Sequence, residues 1–324
     1  MMYLVTGATG FVGGEITRQL IKAGHDVRAV VRDPQKAKWM DELGVKFYKG
    51  DVTDKESIRE AMTGVDGVFH MAGWYKLGIK DKGEGERVNV QGTRNALELM
   101  QELKIPKGIY TSTCGVNSDT KGIVVDESYH FSGKHISEYD RTKAVAHDLA
   151  NTFIAGGLPL VIVMPDVIYG PGDTSTLRTS IIQFLNGYLP ALPSQTGICM
   201  GHVDDTVQGH ILAMEKGRIG ETYIIAGDPL QMTDIFKLAA QITGKRAPIT
   251  FPYQLMKIMA TLIAPFDALL PEGSKSENLR VLAGVTYWGD NSKAKRELGF
   301  STRPFREGWE AILRHEMKLL GIKQ

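Results

Sequence analysis

The chain has 324 residues, 43% hydrophobic and 23% charged, a balance that excludes disordered, collagen-like and membrane-spanning classes and leaves room for about two domains. With 38 Lys and Arg against 37 Asp and Glu, its net charge of +1 gives no field for steering onto nucleic acid or anionic lipid, and electrostatics names no macromolecular partner. Cys114 and Cys199 form neither a disulfide framework nor a metal-ligand spacing, and with no secretory signal visible they point to a reducing cytoplasm.

From residue 2 to about 165, short β-branched runs alternate with segments of helical period. Strands are predicted over 3–6, 26–31, 45–49, 67–70, 108–112 and 160–164, and helices over 11–23, 37–43, 58–62, 88–103 and 144–155. This is the pattern of an α/β fold, a doubly wound parallel Rossmann sheet occupying residues 1–168. After Tyr169-Gly170-Pro171-Gly172 the alternation stops, and a smaller α/β substrate domain is expected over 169–324. Within it, residues 202–226 read as helix then strand and are expected to return to the first sheet. Asp204 and Asp205 read as caps for that helix rather than as a carboxylate dyad or metal site. The apolar stretch 252–271 is broken by Lys257, Pro265 and Asp267, too short for a membrane span, and reads as a buried helix or a wall of the substrate site. Near the end, Asp290-Asn291-Ser292 reads as the cap of a helix over 293–298 that Gly299 terminates. No HExxH, paired CxxC or GxSxG occurs, so neither a metal site nor an α/β-hydrolase elbow is expected.

The turn Gly7-Ala8-Thr9-Gly10-Phe11-Val12-Gly13 joins the first strand to the first helix. Its glycines let the backbone approach a pyrophosphate, and the helix N-terminus supplies amide hydrogens to it. Gly7, Thr9, Gly10, Phe11, Val12 and Gly13 are therefore the candidate cofactor cradle. At the end of the second strand, Asp33-Pro34 reads as an N-cap with a first-turn proline, which leaves Arg32 to face a ribose 2′-phosphate. NADP(H) is the preferred cofactor on that reading, with NAD(H) still possible.

Tyr139 and Lys143 are four residues apart on a helix and share a face. A nearby ammonium favours the phenolate, so Tyr139 is a candidate acid/base tuned by Lys143. A hydroxyl to polarise a substrate oxygen is available where the fifth strand ends, with Thr113 the first choice and Ser112 the second.

Taken together, these residues resemble the extended short-chain dehydrogenase/reductase superfamily, the NAD-dependent epimerase/dehydratase family. The landmarks are the Gly7 turn, Gly50-Asp51-Val52-Thr53-Asp54, His70-Met71-Ala72-Gly73, Asn89-Val90-Gln91-Gly92-Thr93, Tyr139 with Lys143, Tyr169-Gly170-Pro171-Gly172-Asp173 and His202-Val203-Asp204-Asp205. Within it, Val27 to Pro34 is similar to the NADP-type segment of the dihydroflavonol-reductase-like branch, which includes hopanoid-associated sugar epimerase relatives. The resemblance implies that Asp51 and Val52 hold adenine, that Met71, Ala72, Gly73 and Asn89 line the cofactor, and that Lys143 bonds the nicotinamide ribose. It places Pro165 near the nicotinamide, after a Met164 where relatives often carry Arg or Asn, and puts Thr113 where most carry Ser. A homodimer through helices 89–103 and 139–155 is also implied.

The expected chemistry is NADPH-dependent reduction of a carbonyl on a small-molecule substrate. The alternatives are a sugar-nucleotide epimerase or dehydratase, which returns its cofactor, and an NADP-binding protein without catalysis. Trp74, Tyr75, Asp166, Tyr169 and Arg178 are candidate substrate contacts, and Arg178, Arg280, Arg303 and Arg306 are the candidate diphosphate anchors an epimerase needs.

Overall fold

In the computed structural model, which describes residues 1–78, 81, 83–271 and 275–322, the first half of the chain alternates strand and helix. The strands are β1 (Met2–Thr6), β2 (Asp26–Val31), β3 (Lys46–Lys49), β4 (Gly67–His70), β5 (Gly108–Thr111) and β6 (Leu160–Met164). Between them run α1 (Phe11–Lys22), α2 (Lys55–Met62), α3 (Gly92–Glu102) and α4 (Glu138–Ala155). The predicted helix over 37–43 is a 3-10 helix, Pro34–Leu43, capped by the Asp33 carboxylate and closed by Gly44 in the left-handed region.

The chain continues through β7 (Val167–Tyr169), α5 (Thr176–Leu185), β8 (Ala191–Pro193), β9 (Gly197–His202), α6 (Val203–Lys216) and β10 (Thr222–Ile224). It ends with β11 (Pro229–Gln231), α7 (Met232–Thr243), β12 (Ile249–Phe251), α8 (Tyr253–Ile263), α9 (Ser276–Val281), α10 (Ser292–Leu298) and α11 (Phe305–Leu319). Seven strands form one parallel sheet in the order β10-β6-β5-β4-β1-β2-β3, with β10 supplied from the far part of the chain. The order reverses at β1, between β2 and β4, and opens a crevice at the carboxyl ends of β1 and β4.

Both faces of this sheet are covered, as a parallel sheet requires. Tyr3, Val5, Ile109, Val161 and Val163 point into one core. Their neighbours Leu4, Tyr110, Leu160 and Ile162 alternate into the opposite one. A third core, centred on Phe184, Phe236, Trp309 and Leu313, sits outside the sheet among α5, α7 and α11.

Two local expectations change. His202, not Asp204 or Asp205, caps α6 by accepting from the Asp204 amide, which leaves both aspartates in the first turn, where Asp205 binds Arg303 through two oxygens. The apolar segment 252–271 is neither a buried helix nor a cleft wall along its length, because α8 buries Ala260 and turns Leu255, Ile258, Met259 and Leu262 outward. At α10 the Asp290 carboxylate holds the Ser292 amide and Gly299 adopts the left-handed conformation.

Candidate active site

The glycine turn sits at the crevice. Gly7 has φ +71, and a Cβ there would meet the Ala72 amide nitrogen at 2.9 Å, while one at Gly13 would lie 2.3 Å from the Gly7 carbonyl oxygen. Only glycine permits this approach of β1, α1 and the loop after β4. Gly10 is the N-cap of α1 with no side-chain bond to the first turn, and that turn carries no acidic residue. Amide donors at its start are thus unclaimed by side chains, which fits a dinucleotide pyrophosphate.

The loop after β4 is fixed by a network that joins Thr6, which the sequence did not single out, to His70 and Thr93 of the landmark segments. Thr6 Oγ1 accepts from the amides of Met71 and Ala72, both at 3.1 Å, and so directs its own hydrogen to His70 Nδ1 at 2.9 Å. His70 Nε2 then donates to Thr93 at 3.2 Å. Burial and the nearby Lys143 charge push His70 down to about 3, so the ring stays neutral. The signal for this network was present in the strand-end Thr6 and in His70-Met71-Ala72-Gly73, but its partners are far apart in sequence.

On the nucleotide side, Arg32 is exposed and makes no ion pair with a described residue, while Asp33 accepts from the Gln35 amide at 3.0 Å. Asp51 organises its own loop by accepting from the Thr53 amide and hydroxyl at 2.9 Å each, and the Val52 carbonyl is held by Asn95 at 2.8 Å. Asn89 is corrected from cofactor contact to positioning residue. Its amide accepts from the Trp74 nitrogen at 2.7 Å and donates to the Trp74 carbonyl and to Thr142, clamping the β4 loop to α4.

Ser137 caps α4 by accepting from the Asp140 amide at 3.0 Å, which starts the helix six residues earlier than the 144 expected from apolar spacing and puts Tyr139 in its first turn. Tyr139 is half-buried, its ring edge-on to Tyr75 with centroids 4.8 Å apart. Burial raises its phenol above the ordinary value, and the nearby Thr113 hydroxyl opposes that rise. Thr113 accepts from the Gly115 amide at 3.1 Å, so its own hydrogen is free to point at an oxygen in front of β5. Ser112, the second choice, is committed to His147 Nδ1 at 2.8 Å. Pro165 is buried behind this point, with its carbonyl on the Cys114 amide at 2.8 Å.

Lys143 does not tune Tyr139 in the way its spacing suggested. Its Nζ donates to the Thr111 carbonyl at 2.6 Å and the Tyr110 hydroxyl at 3.2 Å, and burial lowers it to about 7. The ammonium is thus held by the carbonyl end of β5.

Among the expected substrate contacts, Tyr75 stands edge-on to Tyr139 and Asp166 lies near Tyr75. Asp166 accepts from the Cys199 amide at 2.5 Å and is pushed up to about 8 by burial and by the field of Asp140, itself pushed up to about 7 by burial. Three others are corrected. Trp74 is buried against Gly85, its indole donating to Glu84. Tyr169 is sealed among His202, Phe305 and Trp309. Arg178 binds the buried Glu316 through two nitrogens at 2.8 and 3.1 Å. A cavity of about 560 Å³ opens beside the start of α4, where Lys134, His135, Arg141, Lys275 and Arg280 contribute cationic or basic lining.

The profile of the NAD dependent epimerase/dehydratase family matches residues 3–226. A putative dihydroflavonol 4-reductase of Synechocystis is 33% identical, with 92% of this chain and 89% of that protein covered. A 4-hydroxy-2-methyl-3-oxo-4-farnesyl-3,4-dihydroquinoline-1-oxide ketoreductase of Stigmatella aurantiaca is 30% identical, with 96% of each chain covered. The crystal structure of gox2253 superimposes with a TM-score of 0.85 at 30% identity, over 100% of this chain and 99% of that one.

Proposed function

The chain belongs to the NAD dependent epimerase/dehydratase family, and within it we propose that this protein is an NADPH-dependent reductase of a ketone or aldehyde carbonyl. The placement of Thr113 at the end of β5 and of Tyr139 in the first turn of α4, edge-on to the exposed Tyr75, on the sheet whose crevice the glycine turn borders, carries the reading. When bound there, NADPH would supply the hydride. Thr113 donates a hydrogen bond to the carbonyl oxygen, and Tyr139 delivers the proton that makes it an alcohol. Lys143, anchored on the Thr111 carbonyl at the end of β5, keeps its charge below about pH 7.

The sugar-nucleotide alternative is the weaker one for a specific reason. Of its four candidate diphosphate anchors, Arg178 and Arg303 are spent on Glu316 and on Asp204 and Asp205, while Arg306 is exposed. Arg280 alone of the four lines the cavity beside α4. Two of the relatives are named as reductases, one of a ring ketone bearing a farnesyl chain, which favours a carbonyl substrate with an apolar body. A cytoplasmic homodimer through α3 and α4 completes the reading, and two free, buried cysteines suit that compartment.

Following absorbance of the reduced nicotinamide across carbonyl and sugar-nucleotide panels tests the proposal. Stoichiometric loss of NADPH with a carbonyl compound is the expected result, and turnover of a sugar nucleotide with no net loss would replace it with the epimerase reading. Arg32→Ala should weaken NADPH binding about tenfold, the scale of one charge-assisted contact, and leave NADH binding unchanged. Equal effects on both cofactors, measured by thermal shift, would remove Arg32 from the 2′-phosphate.

A further inference from the structure

Helix α8 is amphipathic with its apolar stripe facing away from the protein. Ala260 is buried, and Tyr253, Met256 and Ile263 are half-buried on the same side. On the opposite side stand Leu255, Ile258, Met259 and Leu262, at the i, i+3, i+4, i+7 spacing of one helical face. With Phe266 and Leu269 just beyond the helix, these six side chains are between 50 and 85% exposed. Single exposed apolar residues need no explanation, but a contiguous stripe of this kind marks an interaction surface.

The charge around it selects the partner. Between Asp234 and Asp267 the chain carries Lys237, Lys245, Arg246 and Lys257 and no further Asp or Glu, a local excess that the near-neutral total conceals. Lys237 pairs with Asp234, whereas Lys245, Arg246 and Lys257 make no ion pair with a described residue. Lys257 lies on the polar flank of α8 with Gln254 and Thr261, its ammonium 4.7 Å from the Tyr253 ring. An outward apolar stripe with a cation on its flank is the arrangement of a helix lying in a bilayer interface, its hydrocarbon among the acyl chains and its lysine at the headgroups. A second copy fits less well, since a two-fold contact would set this basic stretch against itself. Among the described residues no helix is long and apolar enough to cross a membrane.

We propose that α8, with Phe266 and Leu269, seats this protein on the surface of a bilayer that contains anionic lipid. This stands independently of the reaction assigned above.

Co-sedimentation of the full chain with vesicles of phosphatidylcholine, alone or mixed with phosphatidylglycerol, tests it. The protein should pellet with the mixed vesicles and much less with phosphatidylcholine alone. Ile258→Asp combined with Leu262→Asp should cut that binding by about tenfold or more, since two apolar anchors become charges. Reversal of Lys245, Arg246 and Lys257 to Glu should cut it as well. All five positions lie outside the cores, and an unchanged thermal melt for each variant verifies that the fold is intact. The proposal is overturned if the protein stays in the supernatant with both vesicle types, or if the apolar double variant pellets as well as the native chain. Binding that ignores phosphatidylglycerol overturns the anionic part. A dimer in analytical ultracentrifugation that the double variant dissociates, with no vesicle binding, would show that this face closes on a second copy.

Discussion

Tyr139→Phe should lower kcat for carbonyl reduction by about 10³-fold, within the range a positioned general acid contributes, and leave NADPH affinity and fold intact. The substitution is clean for structural reasons. Phe keeps the ring that stands edge-on to Tyr75 and removes only the oxygen that meets Thr113. Losing one hydroxyl costs about 1 kcal/mol, too little to unfold the chain. The phenol is held above its ordinary value by burial, so it carries its proton through neutral pH, the state a reductase needs at the start of a turnover. Single-turnover kinetics separates the step from product release, and near-normal turnover in the Phe variant would transfer the acid role to another group.

What the sequence made legible follows from the range over which each signal acts. The glycine turn, the Asp33 cap and the sheet strands are local: alternation, helical period and turn chemistry are written within about ten residues of one another. The same holds for Tyr139 and Lys143 as neighbours on one helix. What Lys143 bonds was not local, because its partner is the Thr111 carbonyl across a strand end. Ser112 and Thr113 are equivalent as neighbours in sequence, and His147, in the following helix, decides between them by claiming Ser112. Arg178 read as free because Glu316, 138 residues away, is invisible from its surroundings in sequence. Trp74 and Tyr169 failed for a related reason, since an aromatic residue beside a cleft loop gives no sign of which side it faces. The stripe of α8 has the period of any amphipathic helix, and the period does not say whether the apolar side turns inward.

Asp166→Asn should make the protein more stable at pH 8.5 by about 3 kcal/mol, roughly 5 °C in Tm, with the gain vanishing near pH 4. The sign comes from the direction of the shift. Asp166 is raised to about 8 by burial first, with the field of Asp140 adding to it, while hydrogen bonds from the Cys199 and Val167 amides pull the other way. Between the ordinary aspartate value and about 8, the unfolded chain has lost this proton and the folded one keeps it. The native carboxyl therefore contributes its full stability only at acid pH, and that contribution is lost as the pH rises through about 8. Asn does not titrate, and its carbonyl can still accept from the Cys199 amide that now bonds Asp166 at 2.5 Å. The gain is set below the full shift because the carboxyl is not wholly enclosed and water can screen it. Thermal melts of both proteins between pH 4 and 9 decide the matter. A gain independent of pH, or a loss at pH 8.5, would mean that Asp166 is ionised in the fold and that its amide contacts outweigh burial. A gain that grows with pH shows that the fold holds Asp166 as a neutral acid at a cost in stability, the kind of cost that functional sites carry.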